Sequence, residues 1–370
     1  MQLTSFIPKQ MYSLVLSLLA FITYIQAYRP LSNDSLKKVW QVGQPEALSV
    51  DHGAWLHPLL IERVSGSPGN IIVRDTIINH FKKMNWTIEL DTFTAETPLG
   101  DKEFTNIIVT KEPQAQRRLV LAAHFDSMNS DFPFIGATDS AVPCAVLMSL
   151  GATLNDHLPM QSDWSGGRRK TKLPEQQTTL QLMFFDGEEA FVSWTHNDSI
   201  YGARHLAETW EKTPLPHYPP TVKASNKLDQ IDVLVLLDLM GTPNLTFHNY
   251  FRSTSWLFQH LVALEKKLFG QSDDMWAKKT KDGVAIKPMF PDQPTYLTFE
   301  SHAMQDDHLP FMERGVHILH LIPHPFPAVW HKPTDDAAHL DPPSIANLDI
   351  LFRAFVCEYL ELDPIAHGEL

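Results

Sequence analysis

The sequence is short of cysteine: Cys144 and Cys357 are the only two in 370 residues. They lie far apart, each in an apolar helical pattern where a small buried hydrophobe is the plainest role. Two free buried thiols are therefore expected, not a disulfide framework. Positive charge is also in deficit. At a formal net charge of -13 the chain repels nucleic acid and anionic membrane surfaces, which removes nucleic acid as a partner class. The acidity suits a metal site or a basic peptide substrate, and equally a solvated surface, so it carries no function alone.

Long apolar runs are missing too, apart from Met11 to Ile25, which follows Lys9 and closes on the small residue Ala27. That order is the pattern of a secretory signal peptide. The run falls below the roughly 20 residues of a bilayer-spanning helix, which leaves an uncleaved, Golgi-type anchor as the second reading. No arginine precedes Arg29, so an arginine-rich mitochondrial transit peptide ranks third. The expected organisation is a signal peptide or anchor over 1–27 and one catalytic α/β domain over 28–370. Asn33, Asn85, Asn197 and Asn244 head glycosylation sequons that a secreted chain could carry on its surface. No fixed-period repeat and no sharp composition shift marks a second domain.

Hydrophobic residues, by contrast, make up 44% of the chain, enough for an extensive core. Their spacing predicts helices over His52 to Val64, Asn70 to Met84, Ala141 to Leu154, Tyr201 to Glu211, Thr254 to Leu268 and Ser344 to Leu360. Short β-rich runs at Thr87 to Phe93, Asn106 to Thr110, Arg118 to Ala123, Leu180 to Phe185, Asp232 to Asp238 and Val316 to Ile322 alternate with them. Near-continuous apolar strands such as Val233 to Leu237 are what a sheet buried on both faces requires. The expected fold is an α/β three-layer sandwich, with a central mostly parallel or mixed sheet flanked by helices. The polar stretch Gln161 to Gln177 and the proline-rich Trp210 to Lys227 are expected to be surface loops.

Chemistry-bearing residues follow directly on the buried strands: His124-Phe-Asp126, Asp186-Gly-Glu188-Glu189 and Asp238. Ligands of open α/β sheets bind outside the carboxyl ends of the strands, so separate segments deliver these groups to one crevice. Asp139 and His331 stand in loop-like contexts and could complete it. Two carboxylates and an imidazole form a set that binds catalytic zinc with a position left open, and Asp139, Glu189 and His331 fit that set. The sequence lacks a local metal signature such as H-E-x-x-H that would decide the matter. Asp139 could equally cap the helix that starts near Ala141. Glu188 and Glu189 could be solvated loop carboxylates, and His331 an ordinary histidine. Asp238 ends an apolar strand, where an unpaired carboxylate is costly, which already points to a functional or paired role.

Taken in order, Gly136-Ala-Thr-Asp-Ser-Ala-Val-Pro-Cys144, Phe184-Phe-Asp-Gly-Glu-Glu-Ala-Phe191 with Trp194, Gln305-Asp-Asp-His308 and Leu321-Ile-Pro-His-Pro-Phe-Pro-Ala-Val-Trp-His331 resemble the zinc aminopeptidase superfamily and, within it, the animal glutaminyl cyclases. The resemblance implies a zinc-exopeptidase-like fold and closure of an amino-terminal glutamine into pyroglutamate with loss of ammonia. It implies one Zn2+ per chain held by Asp139, Glu189 and His331. Glu188 is then the general acid/base, and Asp238 and Asp306 are its hydrogen-bonding partners. Trp194, Gln305, Phe326 and Trp330 resemble the wall of the substrate pocket, although Trp194 and Phe326 could also be core aromatics. The partners implied are peptides and proteins with amino-terminal glutamine, and a monomer without an obligate protein partner is expected. Whether glutamate is also cyclised stays open.

Secreted relatives pair the cysteine at the Cys144 position with one just before the His-x-Asp segment, where this chain has Ala123, so that disulfide is expected to be absent. His324 and the Gln161 to Gln177 stretch also depart from the relatives. A two-zinc aminopeptidase, with His124 and Asp238 on a second metal, is the main rival. A catalytically dead binding domain is the third reading, and it is disfavoured because the ligands and the acid are all present.

Overall fold

The computed structural model describes residues 29–160, 177–215, 226–291 and 304–362. The 1–27 signal or anchor and nearly all of the Gln161 to Gln177 stretch lie outside the described residues, as does much of the proline-rich one. In chain order the main elements are helix α1 (Asn33–Gln41), α2 (Pro68–Lys82), strands β1 (Thr87–Ala95), β2 (Lys102–Thr110) and β3 (Arg117–His124), helix α3 (Val142–Thr153), β4 (Thr178–Phe185), α4 (Tyr201–Glu211), β5 (Ile231–Leu237), α5 (Ser255–Phe269), the short α6 (Leu309–Met312), β6 (Ile318–Leu321) and α7 (Pro342–Tyr359).

The strands form one six-stranded sheet in the order β1-β2-β4-β3-β5-β6. β4, β3, β5 and β6 run parallel, and β2 and β1 continue the sheet as an antiparallel pair. Side chains alternate across the sheet, so β3 feeds two cores at once. Leu119, Leu121 and Ala123 pack into a cluster with α2, α3, α5 and α7. Val120 and Ala122 face a second cluster with Ala203, Leu206, Ala207 and Trp210 of α4. This is the expected three-layer sandwich. All four parallel strands therefore point their carboxyl ends at one edge.

Local chemistry sets the long helices. Ser67 caps α2 by accepting the Asn70 N–H, with Pro68 at the first helical position, and Asp341 and Pro342 do the same for α7. Two expectations are corrected here. His52 to Val64 is not a helix: it holds only a 3-10 turn at His57–Leu59, beside Pro58, and Arg63 within it turns inward with no exposure. Trp210, expected in a surface loop, is buried in the last turn of α4. Helix α1, opened by the Ser32 cap, is an element that the apolar spacing does not predict. Cys144 and Cys357 are free and buried, as expected, and burial pushes both thiols up to about 12.

Candidate active site

His124 ends β3, Glu188 and Glu189 follow β4, Asp238 follows β5, and the segment carrying Phe326, Trp330 and His331 follows β6. Together with Asp139, Trp194 and Gln305 they line one cleft of about 340 Å³, except that His124 lies just behind it. Leu239, Met304 and Ile322, which the sequence did not suggest, complete the lining.

The Asp139 loop is shaped by its neighbours. Gly136 takes φ +58, and a Cβ there would stand 2.2 Å from the Asp139 carbonyl oxygen, so only glycine fits. Arg63 donates to the carbonyls of Phe125, Gly136 and Asp139 at 2.7, 2.9 and 3.2 Å, and also to Ile135. These bonds hold the loop from beneath. Asp126 does the same for the acid pair: its two oxygens accept the Glu188 and Glu189 N–H groups, each at 3.2 Å.

Asp139, Glu189 and His331 place ligand atoms within 4.8 Å of one another. Nε2 of His331 is 3.5 Å from Asp139 Oδ2 and 3.8 Å from Glu189 Oε1. Glu189 Oε1 is buried and accepts no hydrogen bond, so its lone pairs face its fellow ligands unused. That orphan, and a donor set of two carboxylates and one imidazole, fit a divalent cation such as zinc.

Two further groups are set as closely: His124 with Asp139 and Asp238, and Asp306 with His308 and His320. The first is largely satisfied internally, whereas in the second only Asp306 and His320 are joined, and both ring nitrogens of His308 are buried without a partner. His124 Nε2 lies 3.0 Å from Asp139 Oδ1 and 3.5 Å from Asp238 Oδ1, and Ser140 Oγ donates to Asp238 Oδ1. His320 Nε2 contacts Asp306 Oδ2 at 2.6 Å. Asp306 is almost fully buried beside Gln305 and does not reach the cleft surface.

The electrostatics follow from crowding acids in a dry place. Burial, reinforced by Asp306, Glu189 and Asp307, raises the Glu188 carboxyl well above the carboxylate range against the pull of His124. Burial and Asp139 raise Glu189 likewise. Asp238 is pushed up to about 6 by burial, then by Asp139 and Asp306, against His124. For Asp139 burial is outweighed by His124 and His331, which hold it low, and for Asp306 it is outweighed by His320.

One wall of the cleft is aromatic. The Trp330 and His331 rings stack at 4.0 Å, and Phe326 meets Trp330 edge-on at 4.7 Å. Trp194 Nε1 donates to Gln305 Oε1 at 2.8 Å. Trp194 and Trp330 are 38% and 36% exposed, so neither is the core aromatic that Trp194 could have been. The proposed ligands, acid/base and pocket residues thus converge, with Asp306 behind the wall, whereas Asp126 lies outside the lining and Asp186 turns away to accept from Ser65, Asn70 and the Thr105 N–H. Ser140, His320, Asp126 and Arg63 had no assigned role. For His320 there was a signal, a polar residue inside the apolar strand Ile318–Leu321.

The sequence matches the model of peptidase family M28 over residues 106–356. It is 41% identical over 318 residues to the glutaminyl-peptide cyclotransferase of Gloydius blomhoffii, covering 83% of this chain and 80% of the relative. With that of Drosophila melanogaster it shares 41% over 310 residues, covering 82% and 78%. The crystal structure of Macrostomum lignano glutaminyl cyclase superposes with a TM-score of 0.73 at 33% identity, covering 91% of this chain and 96% of that one.

Proposed function

The chain belongs to peptidase family M28 and, within it, to the glutaminyl-peptide cyclotransferases, and we propose that Glu188, Asp238 and Asp306 manage the protons of its reaction beside one zinc held by Asp139, Glu189 and His331. The enzyme converts the amino-terminal glutamine of peptides and proteins to pyroglutamate and releases ammonia. The observation that carries the metal assignment is the buried, unbonded Glu189 Oε1 facing His331 and Asp139.

In the reaction the α-amine nitrogen attacks the side-chain carbonyl carbon, a carbon–nitrogen bond closes the ring, and the side-chain nitrogen departs as ammonia. Because attack is intramolecular, the protein's first task is to hold the two ends of one residue together and keep water out. Trp330, Phe326 and Trp194 supply apolar walls for that, and Gln305 fixes the Trp194 ring. Lewis-acid polarisation of the side-chain carbonyl is the chemistry a zinc ion supplies at this set of ligands.

Glu188 takes a proton from the attacking amine and returns it to the leaving nitrogen. A carboxyl raised by burial and by neighbouring acids suits both steps, since it is basic enough to accept the proton and acidic enough to release it. Asp238 lines the cleft with one oxygen tied by Ser140 and by the Leu239 N–H at 2.8 Å, and it orients the leaving amide nitrogen. Asp306, braced by His320, completes the network behind the wall.

A two-metal hydrolase would place a second ion among His124, Asp139 and Asp238, which are set as closely as the first group, so metal stoichiometry and the product separate the two readings. Incubation with a Gln-initiated and a Leu-initiated peptide, with metal counting, tests the reading. Ammonia from the first and one zinc per chain are expected; free leucine and two metals would sink it. We further read residues 28–370 as one catalytic domain, monomeric, and the protein as a traveller of the secretory pathway. The Lys9-to-Ala27 pattern supports the last point, as does the exposure of Asn33, Asn85, Asn197 and Asn244. No helix among the described residues is long and apolar enough to cross a membrane.

A further inference from the structure

We infer that Asp335 is a positioning residue that bolts the Asp139 loop to the His331 loop and thereby sets the affinity of the site for its cation. The two ligands come from segments far apart in sequence, Asp139 from the distorted π turn Ala137–Ala141 that leads into α3 and His331 from an irregular turn. His331 itself takes a left-handed conformation, φ +53, so its place depends on the turn that succeeds it in the chain. There the Asp335 N–H donates to the Lys332 carbonyl at 3.0 Å and closes that turn. The Asp335 carbonyl accepts the Ala137 N–H at 3.1 Å, and its Oδ1 accepts the Thr138 N–H at 2.8 Å. One residue thus joins both loops through three bonds, immediately before Asp139 and shortly after His331.

Asp335 is 1% exposed, makes no salt bridge among the described residues, and its Oδ2 is buried without a hydrogen-bond partner. A buried carboxyl group whose bonded oxygen is spent on the backbone just before Asp139 is placed to orient that loop. Partners that orient a metal's ligands typically change metal affinity by about 10- to 100-fold when removed.

The inference rests on reading Asp139, Glu189 and His331 as the zinc ligands, and zinc titration of the apoprotein against a chromophoric chelator separates the two claims. Wild-type protein that binds no zinc defeats the site assignment itself. Given wild-type binding, Asp335→Ala is expected to weaken zinc by about 10-fold or more. Asp335→Asn keeps an acceptor for the Thr138 N–H and offers a donor to Thr138 Oγ1, also buried and unbonded; it is expected to restore affinity to within about 3-fold. An alanine variant that binds zinc like wild type overturns the inference, and so does an asparagine variant as weak as the alanine one. Should Asp335→Ala fail to fold, Asp335→Ser, whose hydroxyl is too short to span to Thr138, takes its place with the same expected loss, and wild-type affinity in it is equally fatal.

Discussion

Asp126 grips Glu188 by its backbone: one carboxylate oxygen accepts the Glu188 N–H at 3.2 Å while the other accepts that of Glu189. The proposed acid/base and a proposed metal ligand are thus set by a single buried side chain that touches neither the metal ligands' donor atoms nor the cleft. Hydrogen bonds to a charged group are worth about 1.5–3 kcal/mol. Asp126→Ala is therefore expected to lower kcat/KM for a Gln-initiated peptide by about 10- to 150-fold. Asp126→Asn, which keeps one acceptor, should fall between. Steady-state kinetics decide, and an alanine variant at wild-type efficiency would show that the pair is held by other means.

Trp194 should act on binding alone. It is 38% exposed and its indole N–H is spent on Gln305. Trp194→Phe keeps an aromatic wall but frees it, so KM should rise by about 3- to 10-fold, the worth of one hydrogen bond, with kcat nearly unchanged. A fall in kcat at constant KM would instead place the ring in the transition state.

Gly136 is a stability and a site prediction together. In Gly136→Ala the new methyl group meets the Asp139 carbonyl oxygen at 2.2 Å on a backbone with φ +58. Such strain costs at least about 1–3 kcal/mol, and relief by moving Asp139 disturbs the ligand. A lower melting temperature with weakened zinc affinity is expected. An alanine variant matching wild type in both would mean the loop is looser than the packing indicates.

His308 gives the acid limb of stability a definite sign. Buried without a hydrogen-bond partner and beside His320, it is lowered from 6.5 to about 3, by burial first and then by His320, against Asp306. The unfolded chain thus binds a proton that the folded one refuses. This contribution is present above pH 6.5 and is lost as pH falls toward 3, at up to about 1.4 kcal/mol per pH unit. Urea unfolding across that range should show a shallower loss for His308→Phe than for wild type. Equal slopes would mean that His308 is protonated in the fold.

The sheet was legible because β3, β4 and β5 are buried on both faces and read as unbroken apolar runs. The cleft was legible because Glu188 and Asp238 sit where such runs stop. His52 to Val64 misled because its apolar spacing serves scattered turn contacts, and Pro58 and the inward Arg63 break the helix that spacing suggests. Arg63 and Asp335 stayed silent, and Asp126 was named without a role, for another reason. Their partners are backbone groups from remote segments, and a backbone N–H or carbonyl leaves no mark in a sequence.

The most direct test of the account is Glu188→Gln, assayed by ammonia release from a Gln-initiated peptide alongside zinc content and melting temperature. If Glu188 shuttles the proton, kcat falls by about 100- to 10,000-fold while the protein still folds and still carries one zinc per chain. Full activity in that variant would contradict the mechanism at its centre.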